Sequence, residues 1–163
     1  MEVFQNKQHE EIAVKRSLDL SIKDGVAFAA TTGFGDNYIN PFAVAIGASN
    51  LQIGLLSSFT QLVSSLMQLK AADITERLGS RKKVIVLSVF FQALMLLPVA
   101  MIPSLPQSIQ VHALIFFSTL YLLFASFANP PWGSLMADLV PEGRRGAFFS
   151  KRGRIVGLVT VIS

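Results

Sequence analysis

The sequence predicts an all-α integral membrane protein with four transmembrane helices and the start of a fifth. Three observations lead there. The 163-residue chain is 52% hydrophobic and 15% charged, against about 25% charged residues in an ordinary soluble domain. Its apolar residues gather in long stretches almost free of charge. Its 14 basic residues all lie outside those stretches, in alternate connections.

Residues 1–25 are polar and mixed in charge, with Glu10, Glu11, Lys15, Arg16, Asp19, Lys23 and Asp24. A secretory signal has a short basic start and an apolar run of about 7–15 residues. The first apolar run here starts later and is longer, so it is an uncleaved span following a cytoplasmic segment. Crossing a hydrocarbon layer about 30 Å thick takes roughly 20 apolar residues at about 1.5 Å per residue. Residues 26–46, 51–69, 84–102 and 111–136 meet that length. A further apolar stretch, 155–163, is too short to cross and reads as the start of a fifth helix, as if the chain were a fragment. Spans must satisfy their backbone internally, as helices or closed barrels. The run Val84-Ile85-Val86-Leu87-Ser88-Val89-Phe90-Phe91 lacks the alternation of a barrel strand.

Orientation follows from the basic residues. Lys7, Lys15, Arg16 and Lys23 precede the first span. Lys70, Arg77, Arg81, Lys82 and Lys83 lie between the second and third. Arg144, Arg145, Lys151, Arg152 and Arg154 follow the fourth. The other two connections, 47–50 and 103–110, have none. The positive-inside rule places the N-terminus in the cytoplasm of a multi-pass cell-membrane protein. The same placement removes nucleic acid as a partner, because no aromatic residues interleave with the basic clusters.

The chain has no cysteine, and His9 and His112 are far apart. No metal site and no cofactor is expected. There is no Ser-His-Asp set, phosphate loop or pair of carboxylates within one span, so no catalytic residue is assigned and the chain is not read as an enzyme.

The spans carry polar groups in register. Thr32, Asp36 and Asn40 stand at i, i+4 and i+8, with Gly33 and Asn37 beside them. Asp36 is the single acid within any span. Ten residues past Val26, it lies about 15 Å into the layer, near its midplane. A carboxylate there costs roughly 2.5–3.5 kcal/mol on insertion scales and must face protein or water. Pro41 disfavours helix at Asn40 and predicts a broken or bent helix. The structural alternative is that Asp36 pairs with a neighbouring helix and Pro41 only kinks. In the second span Ser57, Gln61, Ser64 or Ser65, and Gln68 form a stripe that reads as packing glue. In the fourth, Ser118, Tyr121 and Asn129 precede Pro130-Pro131-Trp132, where the prolines should bend or unwind the end and Trp132 can anchor it at the interface.

Two connections carry motifs. After the second span, Ala72-Asp73-Ile74-Thr75-Glu76-Arg77-Leu78-Gly79-Ser80-Arg81-Lys82-Lys83 should form a tight turn with Gly79 at positive φ. It resembles the turn between helices two and three of the major facilitator superfamily (MFS), where an acid-Arg-x-Gly precedes basic residues. Glu76, Arg77, Gly79, Arg81 and Lys82 match in order. Ala72 stands where glycine is usual, Glu76 replaces the common aspartate, and Ser80 takes a usually basic place. After the fourth span, Asp138-Leu139-Val140-Pro141-Glu142-Gly143-Arg144-Arg145-Gly146 is similar to the acid-x-x-Pro-x-x-x-Arg-Gly element before the family's fifth helix. The stretch 129–154 resembles prokaryotic members. The resemblance covers nearly the whole chain and about the first third of a twelve-helix transporter, within its six-helix N-terminal half.

The resemblance implies alternating access by two six-helix halves rocking around a midplane site. The first and fourth helices line the cavity, which makes Asp36, Asn37, Asn40 and Asn129 the expected substrate- or proton-binding residues. The turn, with Asp73 sharing the role, would form a gate with Asp138, Arg145 and Gly146. The implied partners are a small solute, a proton or cation, the lipid bilayer and the remaining helices of a full-length transporter. Asp36 is expected to couple the ion to solute movement, by symport or antiport. Two rival readings remain at this level: a self-contained four-helix channel or scaffold, and a non-functional truncated remnant.

Overall fold

In the computed structural model the backbone is described from Glu2 to Ser163, and side chains from residue 14 onward except Arg144. The charges counted above at Lys7, Glu10, Glu11 and Arg144, and the histidine His9, lie outside the described side chains. Among the described residues every regular element is helical. α1 spans Glu2–Thr31, a π-turn follows at Thr32–Asp36, and α2 spans Asn37–Ala45. Then come α3 (Asn50–Gln68), α4 (Ala71–Leu78), α5 (Arg81–Met101), α6 (Gln107–Leu139) and α7 (Arg145–Ile162).

Two stretches, Arg81–Ser104 and Gln107–Leu139, are long and apolar enough to cross a membrane. They contain the third and fourth predicted spans. The other two expected spans are broken or diluted. The first is divided by the π-turn and carries Asp36, Asn37 and Asn40. The second, α3, includes Gln52, Gln61 and Gln68 and four serines.

Three local expectations change. Asn40 and Pro41 lie inside α2, and the irregularity falls one turn earlier, at the π-turn. A proline ring crowds the carbonyl four residues before it, here Asn37, and removes its donor; the chain adapts immediately upstream. The double proline does not unwind α6, which continues to Leu139. Neighbouring groups in apolar surroundings re-satisfy the backbone freed by such prolines. Residues 71–78 form a helix rather than part of a turn, and Gly79 ends it at φ 60°, the left-handed cap that glycine adopts without a Cβ penalty. The helix of the last stretch begins at Arg145, ten residues before the apolar run.

Contacts divide the chain into two compact units, Met1–Tyr38 with Met136–Ser163, and Ile39–Leu135. In the second unit Ala43, Leu56, Ile102 and Leu114 form the buried cluster. Ser49 caps α3 through a reciprocal pair with Gln52: Gln52 N–H donates to Ser49 Oγ at 3.3 Å and Ser49 N–H to Gln52 Oε1 at 2.9 Å. The buried face of α3 is Leu56, Thr60 and Ser64, and that of α5 is Val84, Ser88 and Gln92. Their outer faces carry Leu51, Leu55, Phe59, Leu62 and Leu66, and Val86, Phe90 and Leu97. Polar residues inside and large apolar ones outside invert the pattern of a helix built for water. Such a surface is built for hydrocarbon or for other apolar helices.

In the first unit α1 packs against α7. The packed face of α1 is a run of small residues at every fourth position: Ser17, Ser21, Gly25, Ala29 and Gly33, the last four buried. Small residues at this spacing let two helix backbones approach closely. A Cβ built on Gly25 would stand 2.9 Å from both Arg152 Nη2 and Val156 Cγ2. One on Gly33 would stand 2.5 Å from Ser163 Cβ and 3.0 Å from its carbonyl carbon.

Candidate functional site

The π-turn builds the strongest candidate. Asn37 N–H reaches back to the Thr32 carbonyl, closing the wider i→i+5 ring. In an α-helix, residues four apart drift forward around the axis, because a turn takes only 3.6 residues. The wider π-turn takes more than four, so Thr32 and Asp36 drift slightly the other way and stay on one face. Thr32 Oγ1 and Asp36 Oδ1 are both shielded from solvent and have no hydrogen-bond partner. Buried polar atoms normally have partners, and orphans mark strain, function or an absent ligand. π-turns inside α-helices also occur frequently at functional sites. Two oxygens without partners at one such turn, one from a carboxylate, make this turn the strongest candidate among the described residues.

Asn37 and Asn40 follow on α2 and are exposed, as is Asn129 on α6 beside Pro130. Asp36 and Asn37 belong to the first unit, Asn40 and Asn129 to the second.

The motif residues are placed by helix ends. Asp73 sits in the first turn of α4 and Arg77 in its last, each matched to the helix dipole. Ser80 then caps α5, its Oγ accepting from Lys83 N–H at 3.4 Å. Arg81 and Lys82 occupy the first turn of α5, where the dipole disfavours cations; their presence there has no local helical rationale. Asp73, Glu76, Arg77 and Lys82 are exposed.

Arg145 has a role the motif did not foretell. Its Nη2 donates to the Ala137 carbonyl at 2.7 Å and its Nε to the Val140 carbonyl at 3.1 Å, with Glu142 at 3.6 Å. It caps the end of α6 by satisfying carbonyls that have no helical donor. Asp138 is exposed near the end of the same helix. Gly146 has open space around its Cα, so no close approach requires a glycine there.

Sequence reasoning missed the polar pair of the second unit. Thr60 Oγ1 and Thr119 Oγ1 meet at 3.0 Å between α3 and α6, both buried. Of the expected glue on α3, Ser64 is buried, one turn past Thr60, whereas Ser57, Gln61, Ser65 and Gln68 are exposed. It also gave Arg152 no role beyond orientation. Arg152 Nε donates to the Ser21 carbonyl at 3.3 Å. Burial lowers the pKa of this guanidinium, and the charge of Asp24 raises it again.

The sequence model of the Major Facilitator Superfamily matches residues 26–163, the region after the polar N-terminal segment. Neither the curated proteins nor the solved structures gave a match.

Proposed function

The chain belongs to the Major Facilitator Superfamily, a family of multi-pass membrane transporters for small solutes, and on that premise we propose that it serves secondary active transport by alternating access, with Asp36 coupling a proton or cation to solute movement. The observation that carries this reading is the pair of orphan oxygens, Thr32 Oγ1 and Asp36 Oδ1, at the π-turn. An acid placed near the midplane is costly unless it has work to do there. Asn37, Asn40 and Asn129 supply neutral donors and acceptors for the solute. The run through α1 and α2 and the helix α3 cross the bilayer together with α5 and α6, and the N-terminus lies in the cytoplasm, as the basic connections indicate. The remaining helices of the six-helix half complete the cavity. Asp73, Glu76, Arg77, Gly79, Arg81 and Lys82 serve, with Asp138, Arg145 and Gly146, as the cytoplasmic gate.

The test is gradient-driven uptake in vesicles, over a panel of sugars, peptides and amphiphilic drugs, with the transporter assembled from all its helices. Asp36→Asn is expected to abolish accumulation and leave expression intact. Unchanged accumulation would overturn the coupling role.

A further inference from the structure

A groove of about 110 Å³ opens between α4, α5 and α6. Its walls include Ile74 and Leu78 of α4, Leu87 and Phe91 of α5, and Phe124 and Phe127 of α6, with the nearly buried Ser88 among them. Phe91 and Phe124 stack at 5.3 Å between centroids and brace one side. All of these residues belong to one compact unit.

We propose that this groove seats one acyl chain of an anionic phospholipid, whose headgroup is held by the basic residues of the α4–α5 turn. α4 is two-sided: Ile74 and Leu78, four apart, line the groove, whereas Asp73, Glu76 and Arg77 are exposed. An amphipathic helix of this kind lies in the plane of the interface. Around it stand five basic residues, Lys70, Arg77, Arg81, Lys82 and Lys83, against two acids, Asp73 and Glu76. Lys83 directly precedes Val84 and Arg77 directly precedes Leu78, both groove residues. Charge therefore meets apolar wall at the level where a headgroup meets its chain. The volume bounds the occupant. A helix is about 10 Å across with its side chains and does not enter a space of about 110 Å³; part of a flexible acyl chain does. The charge decides the class, since clustered Lys and Arg at a membrane surface attract anionic lipids. Placing this lipid in the cytoplasmic leaflet rests on the proposed topology; the headgroup preference does not.

Native mass spectrometry of the full chain, released from micelles holding equimolar phosphatidylglycerol and phosphatidylcholine, tests the proposal. One retained phosphatidylglycerol is expected, preferred about fivefold or more over phosphatidylcholine. The double variant Lys82→Gln/Lys83→Gln should bring the preference close to parity. Ser88→Leu, which fills the groove and keeps every charge, should reduce retention of both lipids. Equal retention in the parent chain, retention of neither lipid, an unchanged preference in the double variant, or a dimer replacing the lipid adduct would each overturn it. Topology is read separately, by labelling a cysteine placed at Glu76 from either side of sealed vesicles, so a wrong orientation and a wrong ligand give different results.

Discussion

Arg152 and Ser21 are joined by a hydrogen bond of 3.3 Å, from the Nε of one to the main-chain carbonyl of the other. The acceptor is backbone, so the contact depends on how closely α7 lies against α1 and not on the serine side chain. Gly25, one turn further on, keeps that distance short.

Gly25 therefore tolerates substitutions according to size. A methyl there meets the far end of the flexible Arg152 side chain, which can swing away, and Cγ2 of Val156, a β-branched side chain with little χ1 freedom. Gly25→Ala should lower the thermal unfolding temperature in detergent only modestly, since Arg152 can move but Val156 must be displaced. Gly25→Leu forces the helices apart and should destabilise the chain by about 1–3 kcal/mol, the usual cost of overpacking. Equal melting temperatures for the two variants would contradict the close approach.

The threonine pair has a direction. Thr119 Oγ1 donates to the Ile115 carbonyl at 2.7 Å, so its single proton is engaged and Thr60 must be the donor between them. Thr60→Val removes a donor and leaves Thr119 satisfied, which should cost little. Thr119→Val leaves the buried Thr60 hydroxyl without its acceptor and should cost about 1 kcal/mol more. Denaturation in mixed micelles gives the order; the reverse order would show that the hydrogen bond runs the other way.

Gly79 tests backbone conformation in isolation. Its φ is 60°, and nothing lies within 4 Å of a Cβ built there. Gly79→Val should thus cost roughly 1–2 kcal/mol from the left-handed backbone alone, and Gly79→Asn less, because asparagine visits that region. Matching stabilities for the two would mean that the turn can rearrange.

Much of this fold was legible in the sequence, and the errors share one cause. Charge-free length located α5 and α6, and the glycine in a charged connection located the left-handed cap at Gly79. These signals are local and strong. Thr60 and Thr119 were invisible because a hydroxyl among leucines has no signature until the facing helix is known. Of the stripe Ser57, Gln61, Ser64 or Ser65, and Gln68, Ser64 is buried and the others are exposed: spacing finds a face, but not which face is buried. The prolines do not interrupt α2 or α6, because rules drawn from water-exposed helices overstate their power to break a helix in apolar surroundings. The pattern Ser17, Ser21, Gly25, Ala29 and Gly33 could have been found by scanning for small residues at every fourth position, across the boundary where polar sequence gives way to apolar. In the sequence Asp36 stood out by its charge, its depth and its stripe with Thr32 and Asn40, whereas the absence of partners for Thr32 Oγ1 and Asp36 Oδ1 needed the structure.

That π-turn also has a meaning in terms of insertion and deletion. It is the form a helix takes when it absorbs one residue more than its regular turn holds, with no loop to store it. Deleting Gly35, which has open space around it, would let the segment relax to plain α-helix. Asp36 would then follow Thr32 by three α-helical residues, about 60° short of a full turn, and the two would still share a face. A one-residue change of length, without any change of charge or chemistry, would therefore remove the irregularity while keeping Thr32 and Asp36 on one face of a plain helix.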